Sequence, residues 1–146
     1  MLSIKVTSVT PLRDMRLLIT FENGVVKLFD VRTISQDFPE FTALENPDLF
    51  RLVAVEPGGY GVSWSPELDC SEGELWDNGV ELPLHVDDLL EFIRRHTLIT
   101  SEAASALNCT KQNIDDLIKR KKLTPVKNYP KCKLFFSGDV QGRVTQ

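Results

Sequence analysis

The amino-acid sequence predicts an α+β chain of two small modules. An acidic antiparallel-sheet domain with short helices should occupy residues 1–80, and a mainly helical domain with a basic hairpin residues 81–146. Three observations carry this reading. Ile4–Val9 alternates apolar and polar positions, and Arg16–Phe21, with Leu17, Ile19 and Phe21 on one face, leads to an Asn23-Gly24 pair, as antiparallel strands do. From Val86 onward the apolar residues recur at intervals of three and four, the period of helices. The charge reverses as well: residues 1–82 carry six Lys/Arg against fourteen Asp/Glu, a balance of −8, whereas residues 83–146 carry eleven against seven, a balance of +4.

Composition bounds the class. At 42% hydrophobic and 26% charged residues, the 146-residue chain has the balance of a folded globular protein, not a disordered one. No apolar run approaches the roughly 18 to 20 residues that span a bilayer. Met1–Ile4 leads into strand-like sequence without the basic and apolar regions of a signal peptide, so a cytoplasmic location away from membranes is expected. Cys70, Cys109 and Cys132 are odd in number and far apart, and neither they nor His85 and His96 follow a metal-ligand spacing. Free thiols, no metal and no other cofactor are the expectation.

In the first module Ile4–Val9, Arg16–Phe21 and Val25–Asp30 read as a three-stranded meander, with Pro11-Leu12-Arg13-Asp14 as one connection. Asn23-Gly24 is the other, a pair that tolerates the positive φ angles of a two-residue hairpin loop. Asn46-Pro47-Asp48 starts a short helical turn. Leu52–Glu56 and Gly61–Trp64 follow as short strands around Pro57-Gly58-Gly59. Ser71–Trp76 forms a brief helix with a capping box between Ser71 and Glu74. The runs KVTSVTPLRDMRLLITFENGVVKLFDV, NPDLFRLVAVEPGGYGVSW and LDCSEGELWDNG resemble a bacterial family of domains of unknown function, whose members share Phe-Glu-Asn/Asp-Gly, Phe-Asp and a later Trp. The resemblance covers about the first 80 residues. It implies a small α+β domain and no activity.

Catalysis has little support in this module. The acids Asp69, Glu72, Glu74 and Asp77 do not follow the calcium-loop pattern, and a solvated acidic loop accounts for them better. Asp30 ends a strand, where aspartate commonly forms a turn, and has no His, Cys or Ser partner at motif spacing. Gly58-Gly59-x-Gly61 lacks the lysine and the strand–loop–helix context of a phosphate loop. The chain is expected not to be an enzyme.

Trp76-Asp77-Asn78-Gly79 and Pro83 concentrate turn residues, so the boundary is expected near 79–85. Val86, Leu89, Leu90 and Ile93 then make one apolar helical stripe, with Asp87 and Asp88 at its start and Arg94, Arg95 and His96 at its end, matching the helix dipole. Thr100 is placed to cap the next helix, whose Ala103, Ala104 and Leu107 face inward. Asn108-Cys109 turns the chain, Asn108 tolerating a left-handed conformation. Thr110 caps a second helix with Ile114, Leu117 and Ile118 buried, and Cys109 and Ile114 set for a hydrophobic staple. Leu123–Lys127 and Lys131–Phe136 read as hairpin strands with Asn128-Tyr129-Pro130 at the tip, and Ser137 as the cap of a terminal helical turn.

The segment ITSEAASALNCTKQNIDDLIKRKKLTPVK resembles the winged helix-turn-helix of excisionase and MerR-type regulators, over about 45 residues. The resemblance implies that the second helix enters the major groove while the hairpin lies along the backbone. Helical geometry exposes Gln112, Asp116 and Lys119, flanked by Lys111, Asn113, Asp115 and Arg120. Gln112 and Asn113 suit adenine edges, and Lys111, Lys119, Arg120, Lys127, Lys131 and Lys133 suit phosphates. For any single lysine, a solvated surface is the commoner meaning. Asp115 and Asp116 oppose a polyanion, and Lys121 stands where the pattern often has glycine.

The expected function is therefore a bacterial DNA-binding transcriptional regulator, antitoxin-like in its narrower form. DNA would meet the second module, while residues 1–80 would bind a small protein partner or mediate homodimerisation. The rival is a protein-interaction adaptor that never contacts nucleic acid, and a hydrolase centred on Asp30 and the Asp69–Asp77 acids ranks below both.

Overall fold

The computed structural model describes residues 3–144, an α+β chain of antiparallel sheets and short helices. The chain divides into two compact units between Leu89 and Leu90. That division widens the charge split: Asp87 and Asp88 join the first unit, giving it sixteen acids against six Lys/Arg and a balance of −10, and the second has five acids against eleven Lys/Arg, a balance of +6.

In the first unit β1 (Val6–Leu12), β2 (Arg16–Phe21) and β3 (Val25–Asp30) form the expected meander. The β2–β3 connection differs from the two-residue loop suggested by Asn-Gly. Thr20 pairs with Val26, so Glu22, Asn23 and Gly24 make a three-residue loop in which Gly24 alone is left-handed, at φ 87°. Gly24 N–H donates to the Phe21 carbonyl at 2.9 Å, and Asn23 Oδ1 accepts from Val25 N–H at 3.1 Å. Asn23 thus contributes an acceptor and leaves the positive φ to glycine. Pro11 and Leu12 belong to β1, which shortens the first connection to Arg13-Asp14-Met15.

The chain continues through α1 (Arg32–Ser35), a 3-10 segment (Pro39–Glu45) and α2 (Pro47–Phe50), where Asn46 Oδ1 caps by accepting from Asp48 N–H at 3.0 Å. β4 (Ala54–Val55), β5 (Gly61–Ser65) and β6 (Leu68–Ser71) make a second sheet in that order, β6 being unforeseen. α3 (Glu72–Asn78) starts at Ser71, whose hydroxyl accepts from Glu74 N–H at 3.2 Å. Leu17, Ile19, Phe21, Phe29, Leu44, Val62 and Leu75 are fully enclosed in one core. Each such side chain contributes about 1.5–3 kcal/mol of apolar burial. Trp64 stacks on Phe50 and donates its indole N–H to the Phe50 carbonyl at 2.9 Å.

The stretch expected as a linker is instead β7 (Val80–His85), which pairs antiparallel with β3 and completes the order β1-β2-β3-β7. The expected boundary at residues 80/81 falls on this strand. Pro83 is accommodated because β7 lies at the sheet edge and the register shifts there: Lys27 faces Glu81 while Val25 faces His85. β3 would otherwise present a row of unpaired backbone groups. His85 closes the joint. Its ring lies over Gly24, its Nδ1 accepts from Asp87 N–H at 3.1 Å, and Val86 N–H donates to the Gly24 carbonyl at 2.9 Å. α4 (Val86–His96) follows directly, with the expected end charges and with Glu91 bonded to Arg94 and Arg95 at 2.9 and 2.6 Å.

The second unit adds β8 (Thr97–Ile99), α5 (Thr100–Ala106), α6 (Lys111–Lys119), β9 (Lys127–Tyr129), β10 (Cys132–Phe136) and α7 (Ser137–Val144). Its sheet has the order β8-β10-β9, and β8 was not anticipated. Ala103, Ala104, Ile114, Leu123, Phe135 and Val140 form the core, with Leu107, Cys109, Leu117 and Ile118 packed on it. Among the described residues no helix is long and apolar enough to cross a membrane.

Candidate nucleic-acid interface

Small alanines let α5 and α6 cross closely over a shared core, and capping fixes where each begins and ends. Thr100, expected as the cap of α5, is its first helical residue; Glu102 caps instead, its carboxylate accepting from Ile99 N–H at 3.0 Å. At the other end Asn108 is left-handed at φ 50°, its N–H bonding Ser105 O at 3.1 Å and the Cys109 N–H bonding Ala104 O at 2.9 Å. This paired closure satisfies two helix-end carbonyls. Thr110 Oγ1 then accepts from Asn113 N–H at 3.1 Å, the cap predicted for α6.

α6 ends the same way, although its sequence lacks glycine. Lys121 takes φ 58°, with its N–H on Ile118 O at 3.0 Å and the Lys122 N–H on Leu117 O at 2.8 Å. The left-handed lysine costs about 1 kcal/mol, which the two bonds and the burial of Leu123 offset.

Lys111, Gln112 and Asn113 occupy the first turn of α6, exposed, and Lys119 and Arg120 are exposed at its end. That first turn carries no acid, whereas α3, α4 and α5 carry Glu72 and Glu74, Asp87 and Asp88, and Glu102 there. A helix start without carboxylates keeps its free amides and partial positive charge available to an anion. The hairpin departs from expectation in detail. Cys132 pairs with Tyr129, so Asn128 and Tyr129 are strand residues and the tip is Pro130-Lys131. Lys127 and Lys131 are exposed. Lys133 is not free: its Nζ lies 3.4 Å from Asp115 Oδ1, joining β10 to α6. The same ion pair neutralises one of the two opposing acids, and Asp116 stays exposed. Nothing local in the sequence links two residues eighteen apart in this way.

Asp30, weighed above as a general base, is bonded to a neighbouring arginine. Arg32 grips the Asp30 carboxylate through two nitrogens at 2.9 and 3.1 Å, and that hydrogen bonding holds the carboxyl below its usual range. Burial pushes the Cys70 thiol up to about 12, with Glu74 and Asp69 adding to it. Among the described residues no group of three or more His, Cys, Asp or Glu is placed to hold a metal ion.

Residues 6–89, more than half of the chain and nearly all of the first unit, match the family described as protein of unknown function (DUF2442). The chain belongs to this family. The DUF2442 segment runs through β7 into the first turn of α4 and ends where the first unit ends. Among curated proteins none matches the chain. One similar solved structure comes from Nitrosomonas europaea, under a name that provisionally calls it a DNA-binding protein. It shares 21% identity, the alignment covers 84% of this chain and 80% of that one, and the TM-score is 0.45.

Proposed function

We propose that this DUF2442 protein is a DNA-binding regulator whose second unit is a winged helix-turn-helix. In that reading α5 and α6 are its two helices and β9–β10 its wing. The observation that carries the reading is the pairing of an acid-free, lysine-led α6 start with a basic hairpin in a unit of balance +6, against −10 in the first. Gln112 and Asn113 would meet base edges, and Lys111, Lys119, Arg120, Lys127 and Lys131 would meet phosphates. Lys133 supports the wing through Asp115. The protein acts as a cytoplasmic homodimer reading two half-sites, its first unit serves a protein partner, and it catalyses no reaction.

Fluorescence anisotropy with mixed-sequence duplex DNA tests this. Five cations on phosphates give a slope of log K on log salt of about −4 to −5. Absence of binding at about 50 mM salt, with the protein folded, would leave the adaptor reading in its place. The exposed Asp116 and the exposed apolar residues Ile93, Ile99 and Val126 favour that alternative.

A further inference from the structure

The acidic first unit has only six Lys/Arg side chains, and their placement is uneven. Arg32 is bound to Asp30, Lys27 is buried with its ammonium on the Trp76 ring and carbonyl, and Lys5 lies over Tyr60. The other three, Arg13, Arg16 and Arg51, all line one cavity of about 640 Å³. Arg13 comes from the β1–β2 turn, Arg16 from the start of β2, and Arg51 from the end of α2. Its floor is apolar, with Leu44 and Phe50 buried and Met15 half-buried.

Among the described residues none of these three ends in an ion pair; Asp30, which pairs opposite Arg16 on β3, feels its charge but is held by Arg32. Asp14 and Glu45 share the cavity wall, and neither forms an ion pair with an arginine among the described residues. Arg16 Nε donates to the Arg13 carbonyl at 3.1 Å, which orients the Arg16 guanidinium. The turn that presents Arg13 and Arg16 is strained. Asp14 and Met15 are consecutive left-handed non-glycine residues at φ 62° and 56°, each costing about 1–2 kcal/mol. Such consecutive positive φ angles close a tight hairpin and fix where Arg13 and Arg16 leave the backbone.

We propose that this cavity binds a small organic anion, one phosphate or carboxylate group carried on an apolar or aromatic body. The anion meets the Arg13, Arg16 and Arg51 guanidiniums, whose forks suit either group. The body lies on Leu44, Phe50 and Met15, and the volume is that of a small-ligand site. Asp14 and Glu45 accept from hydroxyl or amine groups on the ligand and disfavour a second anionic group. The inference does not depend on DNA binding by the other unit.

Isothermal titration of the full chain with phenyl phosphate and with benzoate tests it, and comparing the two decides between phosphate and carboxylate. At least one should bind at one site with Kd near or below about 1 mM, about tenfold or more tighter than inorganic phosphate or phenol. Arg13→Ala with Arg51→Ala, both at exposed positions, should weaken that binding about tenfold while leaving the tryptophan emission of the fold unchanged. Failure of both probes to bind, equal affinity for inorganic phosphate, or affinity untouched by the double substitution would each overturn the proposal.

Discussion

Gly24→Ala is predicted to unseat more than a turn. At φ 87° an alanine is strained by about 1 kcal/mol. Its Cβ would stand 1.7 Å from His85 Nε2 and 2.2 Å from Cε1, so the imidazole must leave its place over the hairpin. His85 then releases the Asp87 N–H that its Nδ1 accepts at 3.1 Å, a cap worth about 1 kcal/mol. The expected loss is about 2–3 kcal/mol. His85→Ala alone loses the cap, about 1 kcal/mol, and in that background Gly24→Ala adds only the backbone strain of about 1 kcal/mol. The double variant should therefore fall short of the summed singles by about 1 kcal/mol or more. Urea unfolding followed by tryptophan emission is the assay, because Trp64 and Trp76 both lie in the first unit and report it alone. Additivity within about 0.5 kcal/mol would refute the argument that hairpin, β7 and the start of α4 are clamped together by one ring.

Three further outcomes follow from the geometry. Lys121→Gly should stabilise α6 by about 0.5–1 kcal/mol, seen as slower amide exchange in that helix; a loss would show that Lys121 is not strained. Cys70 carries the alkaline sensitivity of the first unit. Burial pushes its folded thiol up to about 12 from an ordinary 9.0, so above pH 9 the unfolded chain ionises first and stability falls as pH rises through that window. Cys70→Ala should flatten the slope in alkaline unfolding curves, and an unchanged slope would assign it elsewhere. Asp115→Asn removes the charge facing Lys133 at 3.4 Å and should raise DNA affinity by about two- to fivefold at low salt, whereas a fall would show that the support this pair gives the wing outweighs the repulsion of the acid.

The sequence by itself carried the local features. Thr110 and Ser71 cap where a hydroxyl precedes a helical stripe, Asn108 reverses the chain after α5, and β2 and β3 pair around Asn23-Gly24. These depend on groups near one another along the chain, whose chemistry a linear reading contains. The Phe-Glu-Asn-Gly and Phe-Asp runs likewise pointed to a domain of unknown function at the start of the chain, and residues 6–89 match one such family.

What only the tertiary structure decided involves partners far apart in the chain. Gly79 and Pro83 looked like a linker, and became the flank and middle of an edge strand because β3 had an unpaired edge to satisfy. Lys133, equivalent to its neighbours in sequence, differs from them because α6 brings Asp115 beside it. The gathering of Arg13, Arg16 and Arg51 around one cavity has no spacing signature at all. Capping and turn chemistry act over a few bonds of one chain, while sheet edges, ion pairs and cavities are settled by which distant segments packing brings together.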